Sequence, residues 1–242
     1  MKLIKPAATI MLARDHDGIL EVLLLKRNKA LAFAGGLWVF PGGKIEPYEI
    51  EQGRDKLEAA KLAAVRETKE EANIDISKDG LVFFRHWTTP VVEPRRYATW
   101  FFFGVANQLT LDVRVDDNEI KEHLWVNPQL ALEKLKKGEL GMMPPTFISL
   151  QLIRTCQTVA EAEEKLKQET PIFILPVIHV KKGKIIIMYK GDAGYEASNA
   201  DLEGARHRLI TDLAERTSIF EYSGCDDFLP VNGGDLFFNG SF

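Results

Sequence analysis

Residues 66–74 read Arg66-Glu67-Thr68-Lys69-Glu70-Glu71-Ala72-Asn73-Ile74, and their spacing is the most informative in the chain. They end a run at 57–72 rich in Ala, Leu, Glu and Lys, which predicts a helix. On a helix, Glu67, Glu70 and Glu71 stand at i, i+3 and i+4, so three carboxylates share one stripe. Like charges so placed repel, and the stripe needs compensation or a cation. Ala60, Ala63 and Ala64 lie on the same stripe one or two turns earlier and let another segment or a ligand approach closely. Carboxylates beside a small-residue surface suit a hard divalent cation that keeps several waters, as Mg²⁺ does. Arg66, four residues before Glu70, can hold a carboxylate in one orientation. The alternative is a solvated acidic helix face, which is what most charge runs are. Against it, four specified charged positions match by accident in about three of a thousand chains of this length.

Working upstream, the chain carries Phe40-Pro41-Gly42-Gly43 and then Glu58. With Arg66-Glu67-x-x-Glu70-Glu71-x-Asn73-Ile74 these residues resemble the Nudix box, G-x5-E-x7-R-E-U-x-E-E-x-G-U, where U is aliphatic. Counted back from Arg66, Glu58 has the standard spacing. Gly43 lies 15 positions before Glu58 where the pattern has 6, which places nine extra residues in the loop, at about 47–56. Thr68 replaces an aliphatic residue and Asn73 replaces glycine. The second change is mild, since Asn is the next-best residue for a left-handed helix C-cap. The inserted stretch is polar, contains Pro47 and Gly53, and shows no sustained core period. It is expected to be a surface excursion that leaves the glutamate helix in its usual place, either neutral or forming part of a pocket wall.

The resemblance extends beyond the box. Leu23-Leu24-Leu25-Lys26-Arg27 before Gly36 partly matches a motif of coenzyme A diphosphatases, although Asn28 stands where Ser or Ala is usual and Ala32 where Arg is. Trp87-Thr88-Thr89-Pro90, Arg95-Arg96-Tyr97 and Pro144-Pro145-Thr146 are similar to the branch that contains the peroxisomal coenzyme A diphosphatase. The likeness covers about residues 4–150 and implies a Nudix α/β/α sandwich, an α/β (α+β) fold with a mixed central sheet and extra C-terminal elements. It also implies site roles. Glu67, Glu70 and Glu71 would bind Mg²⁺, with Mn²⁺ as substitute, and Arg66 would orient them. Gly42 and Gly43 would let the backbone approach metal and diphosphate. Glu58, about half a turn round the helix from Glu67, is expected in a supporting role. Glu119 is the best placed later acid, with Glu122 second, and is a rival to Glu67 as the base that takes a proton from water. Arg27 matches the coenzyme A motif. Arg95 and Arg96 are expected either to grip a phosphate or to be solvated arginines at a loop.

The expected activity is Mg²⁺-dependent hydrolysis of a nucleoside diphosphate linked to another moiety, with coenzyme A or acyl-CoA first. ADP-ribose, NADH or a nucleoside triphosphate is the alternative substrate. A non-catalytic metabolite-binding module is the alternative class; such modules usually lose box glutamates, and here all three are present.

Length and composition agree with this. A chain of 242 residues fits one enlarged domain or a domain with an appendage, read as 1–150 and 151–242, the latter a helical connection followed by a small, mostly β unit. Basic residues number 31 against 35 acidic, which argues against general affinity for nucleic acid or anionic membrane and leaves a small-molecule partner, with a homodimer open. Cys156 and Cys225 have unlike contexts, and the five histidines show no ligand spacing, so neither a disulfide scaffold nor a structural zinc site is expected. No apolar run approaches the ~20 residues that span a bilayer. The N-terminal stretch alternates like a strand and is read as mature, cytoplasmic protein. Strands are expected at 6–13 and 21–26 as a hairpin, then at 38–40, 81–88, 97–106, 123–126, 172–179 and 184–189. Besides 57–72, helices are expected after Pro128 and, as one or two pieces, over 146–168.

Overall fold

The structure is a computed structural model that describes residues 3–31, 33–106, 113–115, 117–215, 217–225 and 238–239; Ala32 of the coenzyme A motif lies outside them. The N-terminal hairpin forms as the alternation predicts. Strands β1 (Ile4–His16) and β2 (Ile19–Arg27) are antiparallel and turn at Asp17 and Gly18, both at positive φ (50° and 75°) as a type I′ turn requires. Residues 7–13 of β1 are buried on both faces, which marks it as a central strand. Short strands β3 (Trp38–Val39) and β4 (Gly42–Lys44) follow, then β5 (Val82–Thr88), β6 (Arg96–Val105), β7 (Ile120–Val126) and β8 (Ile172–Ile174). The sheet runs β3-β2-β1-β6-β5-β8, with β4 on β1 and β7 on β2. β6 lies parallel to β1 over Ile4↔Arg96 to Ala13↔Val105, and β8 parallel to β5.

One edge of β1 changes partner along its length. Arg14, Asp15 and His16 pair with β2, whereas Ala7, Ala8 and Thr9 pair with β4. β2 therefore diverges from β1, and the sheet is split between the end of β2 and the glycines of β4. The site described below lies at this split.

Helix α1 (Pro47–Gln52) and helix α2 (Lys56–Ala72) come next. Asp55 caps α2 by accepting from the Glu58 N–H, and Asn73 closes it in the left-handed region at φ 56°, so this asparagine does the work expected of a glycine. Ala59, Ala60, Ala63 and Ala64 bury against Ala8, Ile10, Leu12 and Phe102. On the opposite sheet face α3 (Pro128–Lys136), α4 (Pro144–Ile153) and α5 (Val159–Gln168) pack over Met11, Phe84, Phe101 and Phe103. The result is a mixed α/β sandwich. The stretch 146–168 is two helices, because Thr158 starts a new one by accepting from the Glu161 N–H.

The inserted segment lies mostly at the surface, as expected, and folds there as a helix, α1, started by Pro47 and by the Glu49 carboxylate, which accepts from the Glu46 N–H at 2.7 Å. Tyr48 and Ile50 are exposed, but Glu49 is fully buried.

The expected strand at 172–179 is also divided. Pro176 cannot donate to a ladder, so Ile172–Ile174 joins the main sheet while β9 (Val177–Lys181) starts a second one. β9, β10 (Lys184–Met188), β11 (Arg206–Asp212), β12 (Thr217–Ser223) and β13 (Phe238–Asn239) form this antiparallel sheet in the order β13-β12-β11-β10-β9. It packs on the main body through Tyr189, whose ring meets Trp87 edge-on at 6.1 Å and stacks on Phe220 at 5.9 Å. The Asp192 carboxylate holds the connection between β10 and β11. It accepts from Arg208 Nε at 2.7 Å, Arg208 Nη2 at 2.6 Å, and the N–H groups of His207 and Gly194. Among the described residues, no helix is long and apolar enough to cross a membrane.

Candidate active site

The glutamate stripe of α2 meets the glycines of β4 at the split in the sheet. Gly42 pairs with Thr9 and Gly43 with Ala8. The Glu71 carboxylate is buried and accepts the Gly42 N–H at 2.9 Å. Burial pushes its pKa up to about 8; the Gly42 hydrogen bond and Arg27 oppose this, while the charges of Glu67 and Glu119 add to it. Glu67 is also raised, first by burial, against the pull of Arg66 and with repulsion from Glu70 and Glu119.

Both glycines are required for steric reasons, but different ones. A Cβ on Gly43 would lie 2.2 Å from Glu67 Oε1. A Cβ on Gly42 would lie 2.4 Å from the Ala8 carbonyl oxygen and 2.6 Å from Thr9 Cα. Gly43 thus leaves room for a carboxylate, and Gly42 leaves room for the backbone.

Arg66 organises the acids. Its Nη1 donates to Glu67 Oε1 at 2.9 Å and to Glu70 Oε2 at 2.8 Å, and its Nη2 donates to the Lys44 carbonyl at 2.9 Å. On its other side Nε donates to Glu49 Oε1 at 2.9 Å and Nη2 to Glu49 Oε2 at 3.3 Å. The guanidinium is therefore held by a buried carboxylate from α1 while it holds two carboxylates of α2.

Glu49 was missed in the sequence, although a signal was there. It stands six positions after Gly43, the G-x5-E spacing counted forward, whereas counting back from Arg66 selects Glu58. The structure separates the two, and Glu58 lies off the stripe as its position half a turn from Glu67 implies. Glu58 accepts from Arg54 Nε at 2.7 Å and Lys78 Nζ at 2.9 Å on the far side of α2, and hydrogen bonds to these two cations hold its carboxyl down to about 2. It takes no part in the acid cluster. The nine extra residues fall between Glu49 and Arg66.

Glu119 is brought to the cluster by the loop before β7. Asn28 N–H donates to the Glu119 carbonyl at 2.7 Å, and Asn28 Nδ2 to the Asn118 carbonyl at 3.0 Å, which pins that loop to the end of β2. Arg27 Nη2 lies 3.4 Å from Glu119 Oε2, and Arg27 Nε donates to the Phe33 carbonyl at 3.3 Å. Arg95 is exposed on the connection between β5 and β6, and the buried Arg96 turns its Nε to the Thr89 carbonyl at 3.0 Å. The contact described for Arg96 thus lies within its own hairpin rather than at the carboxylates.

Glu67, Glu70, Glu71 and Glu119 offer only carboxylate oxygens, the donor set of a hard divalent cation. Glu71 fits this chemistry, being a buried acid that accepts the Gly42 N–H and whose pKa is raised, first by burial. Among the described residues, no three potential ligands already converge as a cage, because Arg66 occupies the carboxylates of Glu67 and Glu70. A cation would share that countercharge role with Arg66.

A family model described as "NUDIX domain" matches residues 3–145. Among solved structures, a NUDIX hydrolase from Alicyclobacillus acidocaldarius is 24% identical with a TM-score of 0.63, covering 70% of this chain and 100% of that one. A MutT/nudix family protein from Enterococcus faecalis is 14% identical with a TM-score of 0.43, covering 93% of this chain and 57% of that one. The first of these likenesses supports the fold. A search of curated proteins gives no match.

Proposed function

Because the chain belongs to the NUDIX family of phosphoanhydride-cleaving hydrolases, we propose that it cleaves the diphosphate bond of a nucleoside diphosphate linked to another moiety, with coenzyme A or acyl-CoA as first substrate. The observation that carries this is the acid cluster facing Gly42 and Gly43, with Glu71 buried on the Gly42 N–H and Glu67 over Gly43. Residues 1–150 are read as the catalytic unit, and 151–242 as a helical connection and β layer resting on it.

Glu67, Glu70 and Glu71 would hold Mg²⁺ or Mn²⁺, with Glu119 near enough for its charge to act on Glu67 and Glu71. When bound, the ion neutralises diphosphate oxygens and lowers the pKa of a water. Arg66, anchored by Glu49, holds the carboxylate of Glu67, which lies beside Gly43, and that of Glu70. Glu67 takes the proton of the attacking water. Glu119 is the rival for that step. Gly43 leaves room for the Glu67 carboxylate beside β4, where the metal and the diphosphate would meet the loop backbone. Water oxygen bonds to one phosphorus, and the bridging oxygen leaves with the other. From coenzyme A the products are adenosine 3′,5′-bisphosphate and 4′-phosphopantetheine.

The coenzyme A assignment is supported by Arg27 and Gly36 in the upstream motif, and by the exposed Arg95 as a guanidinium for a ribose phosphate, whereas the buried Arg96 bonds within its own hairpin. The test is a panel of coenzyme A, acyl-CoA, ADP-ribose, NADH and nucleoside triphosphates with Mg²⁺, products identified by mass spectrometry. Cleavage of ADP-ribose but not coenzyme A removes the branch and keeps the family activity. Cleavage of none moves the chain to the metabolite-binding class.

A further inference from the structure

Resting on that diphosphate-hydrolase reading, we infer that Phe33 and Tyr97 form a shelf that stacks the planar base of the substrate's nucleoside. The loop that joins β2 to β3 leaves the sheet beside Arg27. The Arg27 guanidinium binds the Phe33 carbonyl at 3.3 Å and Glu119 at 3.4 Å, so Phe33 is one guanidinium away from the acid cluster. The Phe33 ring meets the Tyr97 ring at 5.5 Å, tilted by 51°. Since β2, β1 and β6 are neighbours in that order, the loop reaches past the split beside β1 to the start of β6.

The face at that point is open. Side chains of a strand alternate, so Tyr97 and Thr99 share a face with Phe101 and Phe103. Phe103 and Phe101 are buried under the helical layer, whereas Thr99 and Tyr97 are half-exposed and Phe33 is 38% exposed. The helices therefore stop covering β6 where the phenylalanine arrives.

On either side of Phe33 the described residues are hydrogen-bonded: Leu31 N–H donates to the Asn28 carbonyl, Gly36 N–H to the Arg27 carbonyl and Leu37 N–H to the Ala34 carbonyl. Ala34 sits in the left-handed region at φ 50°, a conformation that costs energy for a residue with a Cβ. Phe33 packs one side on Tyr97 and keeps 38% of its surface open, and that open area suits a partner. Because the two rings touch, a third ring does not enter between them; it lies on the open side of the pair. Every nucleobase has a π face for this purpose, while the diphosphate lies at the split beside Arg27.

Calorimetric binding of two probes, ADP and methylenediphosphonate, with Mg²⁺ present, separates the base from the diphosphate. Phe33→Leu keeps an apolar side chain but loses the ring. It is expected to weaken ADP about ten-fold, leave methylenediphosphonate unchanged, and be reversed by Phe33→Trp. Unchanged ADP affinity in Phe33→Leu, or equal weakening of both probes, overturns the shelf. If wild-type protein binds methylenediphosphonate as tightly as ADP, the shelf alone fails. If it binds neither, the diphosphate reading itself falls and takes the shelf with it.

Discussion

Gly43→Ala is expected to silence the enzyme while sparing the fold. The added Cβ would lie 2.2 Å from Glu67 Oε1 and 2.4 Å from its Cδ, well inside the ~3.5 Å of ordinary carbon contact. The carboxylate must retreat by about 1.3 Å, and it can, since it is the free end of a flexible side chain. Stability should change by less than about 1 kcal/mol, a Tm shift within roughly 4 °C for a chain of this size. Activity should not survive so well. A misplacement of about 1 Å costs on the order of 10²-fold in rate, about 2.7 kcal/mol of barrier. Gly42→Ala is the internal control, because its Cβ meets backbone, 2.4 Å from the Ala8 carbonyl oxygen and 2.6 Å from Thr9 Cα. Strand β4 must lift from β1 there, at about 3 kcal/mol and a Tm lower by roughly 6–12 °C. The assay pairs thermal unfolding with kcat at saturating Mg²⁺ on the substrate the panel identifies. A Gly43→Ala protein with kcat within two-fold of wild type would refute the placement of Glu67. So would a Tm loss as large as that of Gly42→Ala.

Four further outcomes are expected. Glu49→Ala should lower stability by about 2 kcal/mol and Tm by roughly 4–8 °C, less than a fully buried pair would, because Arg66 keeps Glu67 and Glu70 as partners; kcat should fall with it, and an unchanged melting curve would contradict the anchoring role. Activity should need Mg²⁺ or Mn²⁺ and vanish in excess EDTA, and Glu67→Gln should cut kcat by orders of magnitude with unchanged circular dichroism; if Glu119→Gln does so instead, the two residues exchange roles. Asp192 should give the protein an acid-sensitive element. Burial alone would raise its pKa, but Arg208 and the N–H groups of His207 and Gly194 bring it below the ordinary value. The folded pKa being lower, its stabilisation is complete above the unfolded value near ~3.9 and is lost as pH falls through the folded one. Asp192→Asn should therefore melt lower at pH 7 and show a flatter loss of Tm between pH 5 and pH 3; parallel curves would exclude this linkage.

What the sequence by itself determined is local. Helical spacing put Glu67, Glu70 and Glu71 on one stripe, and Asn73 at its C-cap, because periodicity and capping depend on neighbours within one or two turns. Alternation and the Asp17-Gly18 turn made the hairpin legible for the same reason. The β11 and β12 strands were not individually legible within the mostly β tail: Arg206, His207 and Arg208 are polar, and Asp192, brought from 16 residues away, makes Arg208 fit to bury. Glu58 and Glu49 each satisfied one half of the box spacing, and one-dimensional counting could not rank them across a nine-residue insertion. Only tertiary structure decided, by burying Glu49 against Arg66 and leaving Glu58 with Arg54 and Lys78 at the surface. The choice belongs to three dimensions because an ion pair is selected by burial and distance, which sequence separation does not encode.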